Sequence, residues 1–579
     1  MDCGAIASQS FLVYNKFSRT GEVKMKSKAL ISIYLTVIFL FSLANVFAAG
    51  ENSSLLGDVN GDGDIDAYDY ILVKRYHFNT VTLNEPQLLA ADVNNDKAVN
   101  EYDYILLKRH HFGTYKIQGE VESEPESEIP ENAIVVSLTA DSRDSEDMEA
   151  NTKVLQECID RANANGGGTV YIPKGDYYFA SQGLNGRKYN EYVCMPKDNV
   201  TVIGAGTETV LYPVGKTTNG LDMFYFNEYA DSGFTNPQYL INADFRDFVI
   251  NGALANADNY TSAGKGFMIN LYKDCDWRNV IVKNTDGTGF GMDCPINCTI
   301  IDCEAYNCGK LATTSDVGAS GFGIGTGYSE EETILIENCY AEGNKKFGIF
   351  FEHQGRFCGG KNYKATNMKS FVVNNCTAKN NYVDFGGELA VDVTYRNCYV
   401  PADSTSVANI SFTHHSIRCT VENMNVEARF DDATDESAYY YDAVYWAVNQ
   451  GLTTGIGSNL FGINDTCTKA QAITFLYRLA GYPGELRLTN KAEVQFYENA
   501  LTWAIKQGMI ENGNTIDDKC SYNDLIYFMW VYDGSVEVEG EYDSATNWAL
   551  ENGIIAEITD GTIIRCDTVN MLYKYFGEK

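Results

Sequence analysis

The chain has 579 residues, which is too long for one compact core because single domains usually run to roughly 100–200 residues. Its 78 acidic residues outnumber the 44 basic ones and give a net charge of −34. A surface of that sign repels nucleic acids and anionic membranes, so the composition excludes both as partners. We therefore predict several domains, with calcium as the more natural counter-ion.

The N-terminus carries a targeting pattern. Three lysines precede the apolar run 29–43, and small residues follow around Ala48. This predicts a signal peptide over residues 1–48, with Met25 as an alternative start. A single membrane anchor is the competing interpretation, although the run is shorter than the roughly 20 residues that a spanning helix needs.

Two twelve-residue segments place oxygen-bearing groups where a calcium ion requires them. The first loop offers Asp58, Asn60, Asp62, Asp66 and Asp69, with the carbonyl of Asp64. The second loop offers Asp92, Asn94, Asp96, Asn100 and Asp103, with the carbonyl of Ala98. Loop position six is Gly63 in the first copy, where a residue without Cβ turns most easily, but Lys97 in the second. The second calcium site is therefore predicted to be weaker.

Both loops end in Asp rather than the Glu of an ordinary EF-hand, and the near-identical helices YILVKRYHF and YILLKRHHF follow them. In these features residues 55–115 resemble the type I dockerins of cellulosome-type complexes. The resemblance implies two bound Ca²⁺ ions and a partner, the cohesin domain of a scaffoldin. It also implies a cohesin-facing surface made by Ala67, Tyr68, Lys74, Arg75, Glu101, Tyr102, Lys108 and Arg109. A calcium-stabilised module without a partner is the alternative.

Residues 116–132 contain six glutamates and no basic residue between Glu120 and Glu131, which predicts an extended acidic linker. From Ala150 the sequence then predicts an amphipathic helix, a glycine run and an alternating strand. This order resembles the N-terminal cap of right-handed parallel β-helix proteins of the pectate-lyase-like superfamily. The predicted β-helix domain spans residues 133–430.

Repeats within the predicted β-helix support an all-β solenoid. Aligned copies form one polar column, listed as Asn284, Asp302, Asn338, Asn375, Asn397 and Asn423. The next column is mostly sulfur, listed as Thr285, Cys303, Cys339, Cys376, Cys398 and Met424. We expect the asparagines to hydrogen-bond from coil to coil and the cysteines to stack as buried thiols rather than disulfides.

Strands of a second sheet follow these columns, and functional groups on consecutive coils would line one groove. Glu352 and His353 lie in an apolar, aromatic strand, where burial is expected to raise the pKa of Glu352 and suit it to general acid work. Asp293 is its predicted partner about two coils away, since a glycosidase needs two carboxyls roughly 5–9.5 Å apart. Arg356 is expected to neutralise a uronate or to stabilise an enolate-like intermediate. The further catalytic candidates are Glu388, His414 and Arg418.

Residues 438–579 contain three copies of a tryptophan-bearing helix followed by a turn and an apolar helix. They resemble degenerate S-layer homology repeats, a family that binds cell-wall polymers. The family's Thr-Arg-Ala-Glu signature survives only as Thr468-Lys469-Ala470-Gln471. A helical accessory domain that packs on the end of the solenoid is the alternative.

The sequence thus predicts a multidomain chain with a small α-helical calcium module, a right-handed parallel β-helix and a C-terminal α-helical repeat domain. The leading functional hypothesis is a secreted, cellulosome-associated enzyme that cleaves an acidic, pectin-like plant cell-wall polysaccharide by hydrolysis or β-elimination. A non-catalytic carbohydrate-binding or surface-anchoring component and a uronan epimerase are the alternatives.

Overall fold

The computed structural model describes residues 56–61, 65, 67–77, 81–93, 99, 103–104, 106–107, 110, 117 and 129–577. Within the last range it leaves out 188–189, 217–219, 228–230, 232–237, 261–262, 314–315, 317, 355–370, 414–415, 428, 458, 485–495, 512–515 and 535–540. The chain divides into two compact units, Met1–Glu122 and Ser123–Lys579. Among the helices in these described ranges, none combines the length and the apolar character needed to cross a membrane.

The first unit contains helices α1 (Ala67–His77) and α2 (Glu85–Ala91). Helix α2 begins with a capping box, in which the side chains of Asn84 and Gln87 each accept the other's backbone N–H. The two predicted copies meet through Tyr70 and Tyr104, whose ring centroids lie 5.9 Å apart edge to face. A small apolar core holds the unit together, listed as Val59, Val73, Leu83, Ala91, Val93, Leu106, Leu107 and Ile117.

The second unit begins with helix α3 (Ser145–Ala164), which starts earlier than the sequence predicted. The side chain of Asp144 accepts the N–H of Glu146 and caps the helix, so the acidic first turn belongs to it. Leu155, Ile159 and Ala162 are buried in the same core cluster as the first strands. The helix therefore covers the N-terminal end of the solenoid.

All strand pairs in the named sheets are parallel, and the described residues form two large sheets. The first sheet has 17 strands: β1 (Ile134–Val135), β2 (Gly168–Tyr171), β3 (Gly175–Phe179), β5 (Val200–Ile203), β6 (Thr209–Pro213), β10 (Asp244–Asn251), β13 (Asp276–Lys283), β15 (Cys298–Ile301), β16 (Glu304–Tyr306), β18 (Ile334–Glu337), β19 (Tyr340–Glu342), β21 (Phe371–Asn374), β22 (Thr377–Lys379), β24 (Val393–Arg396), β25 (Tyr399–Val400), β27 (Thr420–Glu422) and β28 (Asn425–Val426).

The second sheet has nine strands: β4 (Glu191–Cys194), β8 (Leu221–Phe226), β9 (Leu240–Ile241), β12 (Phe267–Lys273), β14 (Phe290–Ile296), β17 (Phe322–Thr326), β20 (Phe347–His353), β23 (Val383–Glu388) and β26 (Ala408–Thr413). A separate pair joins β7 (Gly215–Lys216) to β11 (Ala255–Asn256). Strands pair with the next coil rather than with their neighbours in sequence, which is the topology of a parallel β-helix.

An aromatic ladder fills the solenoid beneath the second sheet. Phe224, Phe267, Phe290 and Phe322 occupy the same register on β8, β12, β14 and β17, and adjacent rings stack with centroids 4.6–5.4 Å apart. All four side chains are buried. Because side chains alternate along a strand, residues an odd number of positions away from these rings face outward.

The first sheet has two columns of corner positions, rather than one, and asparagine occurs in both. Pairing of Arg278 with Ile301 puts Asn279 beside Asp302, whereas pairing of Lys283 with Tyr306 puts Asn284 beside Asn307. The predicted column was therefore wrong at Asn284 and Thr285, which belong to the second corner. Both corners carry the same residue type at variable spacing, so an alignment by residue type can slip from one to the other.

The remaining members of the predicted column do lie in one column. Their shared backbone conformation explains why asparagine or aspartate occurs at each position. Asp302, Asn338, Asn375, Asn397 and Asn423 all have φ between 51° and 55°, in the left-handed region that asparagine and aspartate tolerate best among residues with a side chain. The side-chain Nδ2 of Asn375 also donates to Oδ1 of Asn338, 2.7 Å away. The corners thus combine a required backbone conformation with a coil-to-coil hydrogen bond.

The predicted thiol ladder is present. Cys303, Cys339, Cys376 and Cys398 are buried, and every cysteine in the described ranges is a free thiol. The Sγ of Cys339 donates to the carbonyl of Ile300 on the preceding coil, 3.4 Å away. Burial raises the pKa of Cys398 to about 12, so this thiol stays protonated.

In the described part of the chain after the last coil there are six helices: α4 (Tyr441–Asn449), α5 (Lys469–Leu479), α6 (Glu498–Gln507), α7 (Tyr522–Tyr532), α8 (Glu541–Glu551) and α9 (Arg565–Phe576). Backbone hydrogen bonds join the segments that precede α5, α7 and α9 in a ring, because Cys467 donates to Ile563, Ile563 to Cys520, and Cys520 to Cys467. One continuous apolar core runs from the strands into these helices.

The helices close the C-terminal end of the solenoid. The N–H of Arg418 donates to the carbonyl of Tyr482, and the N–H of Val426 donates to Oδ1 of Asn449. The ring of Tyr482 also packs edge to face on Phe412 of β26, with centroids 5.2 Å apart. The helices therefore supply hydrogen-bond partners and apolar cover that the last coils would otherwise lack.

Candidate active site

One register column on the outer face of the second sheet carries the carboxylates. It runs through Asn270, Asp293, Gly325, Glu352 and Glu388 on β12, β14, β17, β20 and β23. We call these five residues the site column. Adjacent strands lie about 4.8 Å apart, so the backbones of Asp293 and Glu352 are separated by about 9.6 Å. Three residues predicted from separate strands are thus brought into one line.

Gly325 leaves the space between the two carboxyls open. A Cβ added there would lie 2.2 Å from Oδ1 of Asp293 and 2.5 Å from Cγ of Gln354. Only glycine therefore leaves room over this strand for the side chains of Asp293 and Gln354. The Nε2 of Gln354 in turn donates to Oε2 of Glu352, 3.1 Å away, which fixes the orientation of that carboxylate.

The pKa of Asp293 is raised by its surroundings. Loss of hydration raises the pKa of Asp293 to about 6, and the negative charge of Glu352 acts in the same direction. The positive charge of Lys265 and the N–H of Gly325 lower it. The sequence predicted such a shift for Glu352; both carboxyls are half-buried in the structure.

Two further groups beside Asp293 were missed by sequence reasoning. The aliphatic stem of Lys265 lies against Gly291, where an added Cβ would be 2.7 Å from its Cδ, and its Nζ is 3.0 Å from the sulfur of Met268. The phenol of Tyr260 is close enough to the site that Asp293 and Glu352 both help to raise its pKa, after burial. Neither group belongs to a motif, although a glycine in a strand such as Gly291 does signal a close approach.

The loop after β17 is held by a buried carboxylate, Glu332. It accepts the N–H groups of Gly327, Tyr328 and Ser329 at 2.5, 2.7 and 2.9 Å. Burial nevertheless raises the pKa of Glu332 to about 7, those three N–H groups lower it, and Asp293 raises it further. This loop therefore borders the site, and its geometry depends on one carboxylate that the sequence did not signal.

His353 is not a groove residue. Strand alternation places it on the same side as Ile349 and Phe351, which belong to the core, and opposite to Glu352. Its side chain is 2% exposed, and its ring packs against Gly327, where an added Cβ would lie 2.3 Å from Nε2. The prediction that His353 lines the groove together with Glu352 was wrong, because neighbours along a strand face opposite ways.

The remaining catalytic candidates divide into three cases. Glu388 belongs to the site column but is buried at 1% exposure. Arg418 is bound to both carboxylate oxygens of Asp392 at 2.6 Å. Arg356 and His414 lie outside the described residues. The described candidates that face the groove are therefore Asp293 and Glu352.

The two predicted calcium loops share one structural detail. Asp69 and Asp103, the last ligands of each loop, are fully buried, and each accepts the N–H of the second loop residue, Val59 or Val93, at 2.8 Å. Buried carboxylates at equivalent positions fit a hard cation that takes only oxygen ligands. Of the other predicted ligands, Asp58, Asn60 and Asp92 are described, whereas Asp62, Asp64, Asp66, Asn94, Asp96, Ala98 and Asn100 lie outside the described residues.

The predicted cohesin surface is described only in its first half. Lys74 and Arg75 are exposed on α1, and the same helix begins with Ala67 and Tyr68. Glu101, Tyr102, Lys108 and Arg109 lie outside the described residues.

Two family models match parts of the chain. The dockerin type I domain matches residues 56–110, and the S-layer homology domain matches residues 429–473. Both module types indicate an extracellular or cell-surface protein.

Curated relatives match the central part. A mannuronan C5-epimerase, AlgE3 of Azotobacter vinelandii, is 28% identical over 180 residues, which is 29% of this chain and 9% of that protein. AlgE4 of the same organism is 30% identical over 172 residues, 28% of either chain. A capsule KN3-specific depolymerase of Klebsiella phage KN3-1 is 26% identical over 191 residues, 33% of this chain and 23% of that protein. The chain thus spans less than a third of each relative.

Solved structures give weaker likenesses. The A-module of the A. vinelandii mannuronan C-5 epimerase AlgE6 has a TM-score of 0.34 at 18% identity, covering 48% of this chain and 74% of that one. A tailspike protein of E. coli bacteriophage HK620 has a TM-score of 0.33 at 13% identity, covering 52% and 63%. The chain therefore joins a type I dockerin module and an S-layer homology region to a parallel β-helix that is similar in sequence to mannuronan C5-epimerases.

Proposed function

We propose that the outer face of the second sheet cleaves a polysaccharide by hydrolysis of a glycosidic bond. The observation that carries this proposal is the pair Asp293 and Glu352, which stand in one column with only Gly325 between them. In this assignment Asp293 gives its proton to the glycosidic oxygen. Glu352 takes a proton from a water molecule, whose oxygen attacks the anomeric carbon.

The separation of the two carboxyls determines the stereochemistry at that carbon. Inverting glycosidases hold their carboxyls roughly 6.5–9.5 Å apart to admit the water, whereas retaining enzymes need only about 5–5.5 Å. The backbones of Asp293 and Glu352 are two strand spacings apart, about 9.6 Å, and Oδ1 of Asp293 lies over Gly325, on the side of Glu352. The raised pKa of Asp293, about 6, suits the acid, and Gln354 orients the base.

A second candidate is β-elimination or C5-epimerisation of a uronic acid, which both begin with loss of the C5 proton. Lys265 and Tyr260 favour it, because a cation can pair with the uronate carboxylate and a phenol can exchange a proton. The relatives named as mannuronan C5-epimerases support the same chemistry. In either case we propose an acidic plant cell-wall polysaccharide as substrate.

The end modules would bring this groove to its substrate. We propose that the dockerin binds a scaffoldin cohesin through the surface that contains Lys74 and Arg75 on α1. Two Ca²⁺ ions, held by the loops that end at Asp69 and Asp103, would supply the positive charge that keeps each acidic loop closed. The S-layer homology region would add contact with a cell-wall polymer.

One assay on the full chain separates the candidates. Pectin, polygalacturonate, xylan and alginate are each incubated with the protein, and reducing ends, unsaturated ends and epimer ratio are scored. We expect reducing ends, and we expect Asp293→Asn and Glu352→Gln each to lower the rate by 10²-fold or more. The matched control is Glu422→Gln, an exposed carboxylate of the first sheet. Full activity in both site variants, or no product from any substrate, would overturn the assignment.

A further inference from the structure

The amide of Asn270 stands next to Asp293 in the site column, one coil before it. Its side chain is only 3% exposed, and its Nδ2 donates to Oδ1 of Asn227, 3.2 Å away, on the preceding coil. Asn227 is itself 2% exposed, so the bond is shielded from water. This hydrogen bond fixes which end of the Asn270 amide is nitrogen and which is oxygen.

The oxygen of this amide receives no donor from the described residues. Oδ1 of Asn270 is buried and accepts no hydrogen bond from the part of the chain that the structure describes. Buried acceptors are nearly always paired, because an unpaired one loses the hydration that it had in the unfolded chain. Its register neighbour on the side away from Asn227 is Asp293. A protonated carboxyl carries the O–H group that this oxygen lacks.

The position of Asp293 leaves one oxygen available for that contact. Its Oδ1 lies over Gly325, on the side away from Asn270, where the Gly325 N–H favours the carboxylate. The second oxygen, Oδ2, can therefore turn toward Asn270. We propose that Asn270 is a positioning residue, whose Oδ1 accepts the hydrogen bond of protonated Asp293 and so holds the proton on Oδ2.

The proposal accounts for the protonation state of the site. An ionised Asp293 would offer only acceptors to the oxygen of Asn270, and two acceptors repel each other. Asn270 thus adds to the burial that raises the pKa of Asp293 to about 6. Among the residues that the structure describes, the charged and titratable groups that interact with Asp293 include Lys265, Glu352, Glu332, Tyr260 and Tyr272. Among them only Lys265 opposes the protonated form.

A double-mutant cycle of thermal unfolding tests the pairing without any substrate. Asp293→Asn replaces the acid by an amide that always carries an N–H donor, so we expect it to raise the melting temperature of the full chain at pH 8 but hardly at pH 5. In an Asn270→Leu background the gain at pH 8 should shrink, because the acceptor is gone. The matched control is Asn344→Leu, which removes another buried asparagine, one whose amide bonds Ala305 and Asn381 instead of the site column, and it should preserve the gain.

An equal gain at pH 8 in the wild-type and Asn270→Leu backgrounds would overturn the proposal. If Asn270→Leu does not fold, Asn270→Ala serves the same purpose, because alanine carries no hydrogen-bonding group in its side chain. The cycle measures only the contact between Asn270 and Asp293, so it stays decisive even if the chain cleaves none of the tested polysaccharides.

The pH profile of activity tests whether Asn270 keeps Asp293 protonated during the reaction. This test rests on the proposed general-acid role of Asp293. Without its acceptor the carboxyl should ionise at lower pH, so Asn270→Leu should lose on the order of tenfold in rate at pH 8 and less than about twofold at pH 5. A uniform loss across the pH range would mean a structural role only and would overturn positioning of the proton. KM should stay unchanged, since Asn270 is buried and does not reach the substrate.

Discussion

At the scale of single residues, the site depends on how Asp293 is surrounded. Burial and Glu352 favour its protonated form, whereas Lys265 favours the charged form. Opposed influences of this kind are typical of catalytic groups, whose pKa must match the working pH. Each neighbour can be removed separately, and each removal should move the activity profile in a known direction.

Replacing Lys265 by methionine should shift the alkaline limb of kcat/KM to higher pH. Lys265 lowers the pKa of Asp293, so its loss raises that pKa above about 6 and keeps the acid protonated longer. The measurement is the pH profile of the full chain, with Lys283→Met on the first sheet as control. An unchanged limb in Lys265→Met would contradict this electrostatic account of Asp293.

Gly325→Ala should lower kcat on the order of 100-fold. Its Cβ would lie 2.2 Å from Oδ1 of Asp293, so the carboxyl must move, and displacement of a reacting group by about 1 Å can cost that much. Gly323→Ala is the matched control, since the nearest atoms to its Cβ are the methyl of Thr288 at 3.1 Å and the carbonyl oxygen of Gly318 at 3.3 Å, and neither belongs to the site column. Similar activity in the two variants would argue against a site centred on Gly325.

At the scale of elements, strand periodicity explains what the sequence could and could not foretell. Asp293, Glu352 and Glu388 were identified because each interrupts an apolar strand, and parallel coils bring such positions into one column. His353 was misassigned because adjacency along a strand means opposite faces. Lys265, Tyr260 and Glu332 were missed because they lie in connections between strands, where no periodicity constrains position.

The asparagine corners were recognised by residue type, but their cause is the backbone. Left-handed φ angles cost a residue with Cβ about 1–2 kcal/mol, and asparagine less than most. Two such columns of corners explain both the strength of the repeat and the slip at Asn284, since either corner matches the same consensus.

Variants of the exposed residue Asn375 separate the contribution of its left-handed backbone from that of its hydrogen bond to Asn338. Asn375→Ala should lower the free energy of unfolding by about 1–2 kcal/mol, because alanine tolerates a φ of 52° poorly and the bond to Asn338 is lost. Asn375→Gly should restore most of that loss while still lacking the bond. Denaturant unfolding measures both, and equal losses would assign the effect to the hydrogen bond.

At the scale of the whole molecule, the C-terminal helices belong to the same unit as the β-helix. They continue its core and satisfy backbone groups of its last coils, as the Arg418 to Tyr482 hydrogen bond shows. The sequence offered this packing as the alternative to a separate wall-binding domain. It could not decide between them, because helical periodicity does not reveal what an apolar face packs against.

Ending the chain after Phe430 should therefore destabilise the β-helix. The cut uncovers buried Ile410, Phe412 and Val426, so we expect a lower melting temperature and aggregation in size-exclusion chromatography. Removal of residues 1–122 is the control and should leave the melting temperature of the second unit unchanged. Equal stability of the two truncated chains would show that the helices are dispensable.

Stability should also fall as the pH rises. Burial raises the pKa of Asp222, Glu332 and Asp384 to about 7, from ordinary values of 3.8 for Asp and 4.5 for Glu. The folded chain thus binds more protons than the unfolded chain between about pH 4 and 7, and its free energy of unfolding decreases across that window. Calorimetry at pH 5 and pH 8 should give the higher melting temperature at pH 5, and the reverse order would refute this.

The thiol ladder has a consequence for how the protein must be made. Cysteines stacked on adjacent strands, about 4.8 Å apart, are within reach of a disulfide, yet the folded chain hides them from oxidants. Their vulnerable period is the interval before the coils close, when the thiols are still accessible. Yield of active protein should then depend on reductant during refolding and become indifferent to air once folding is complete.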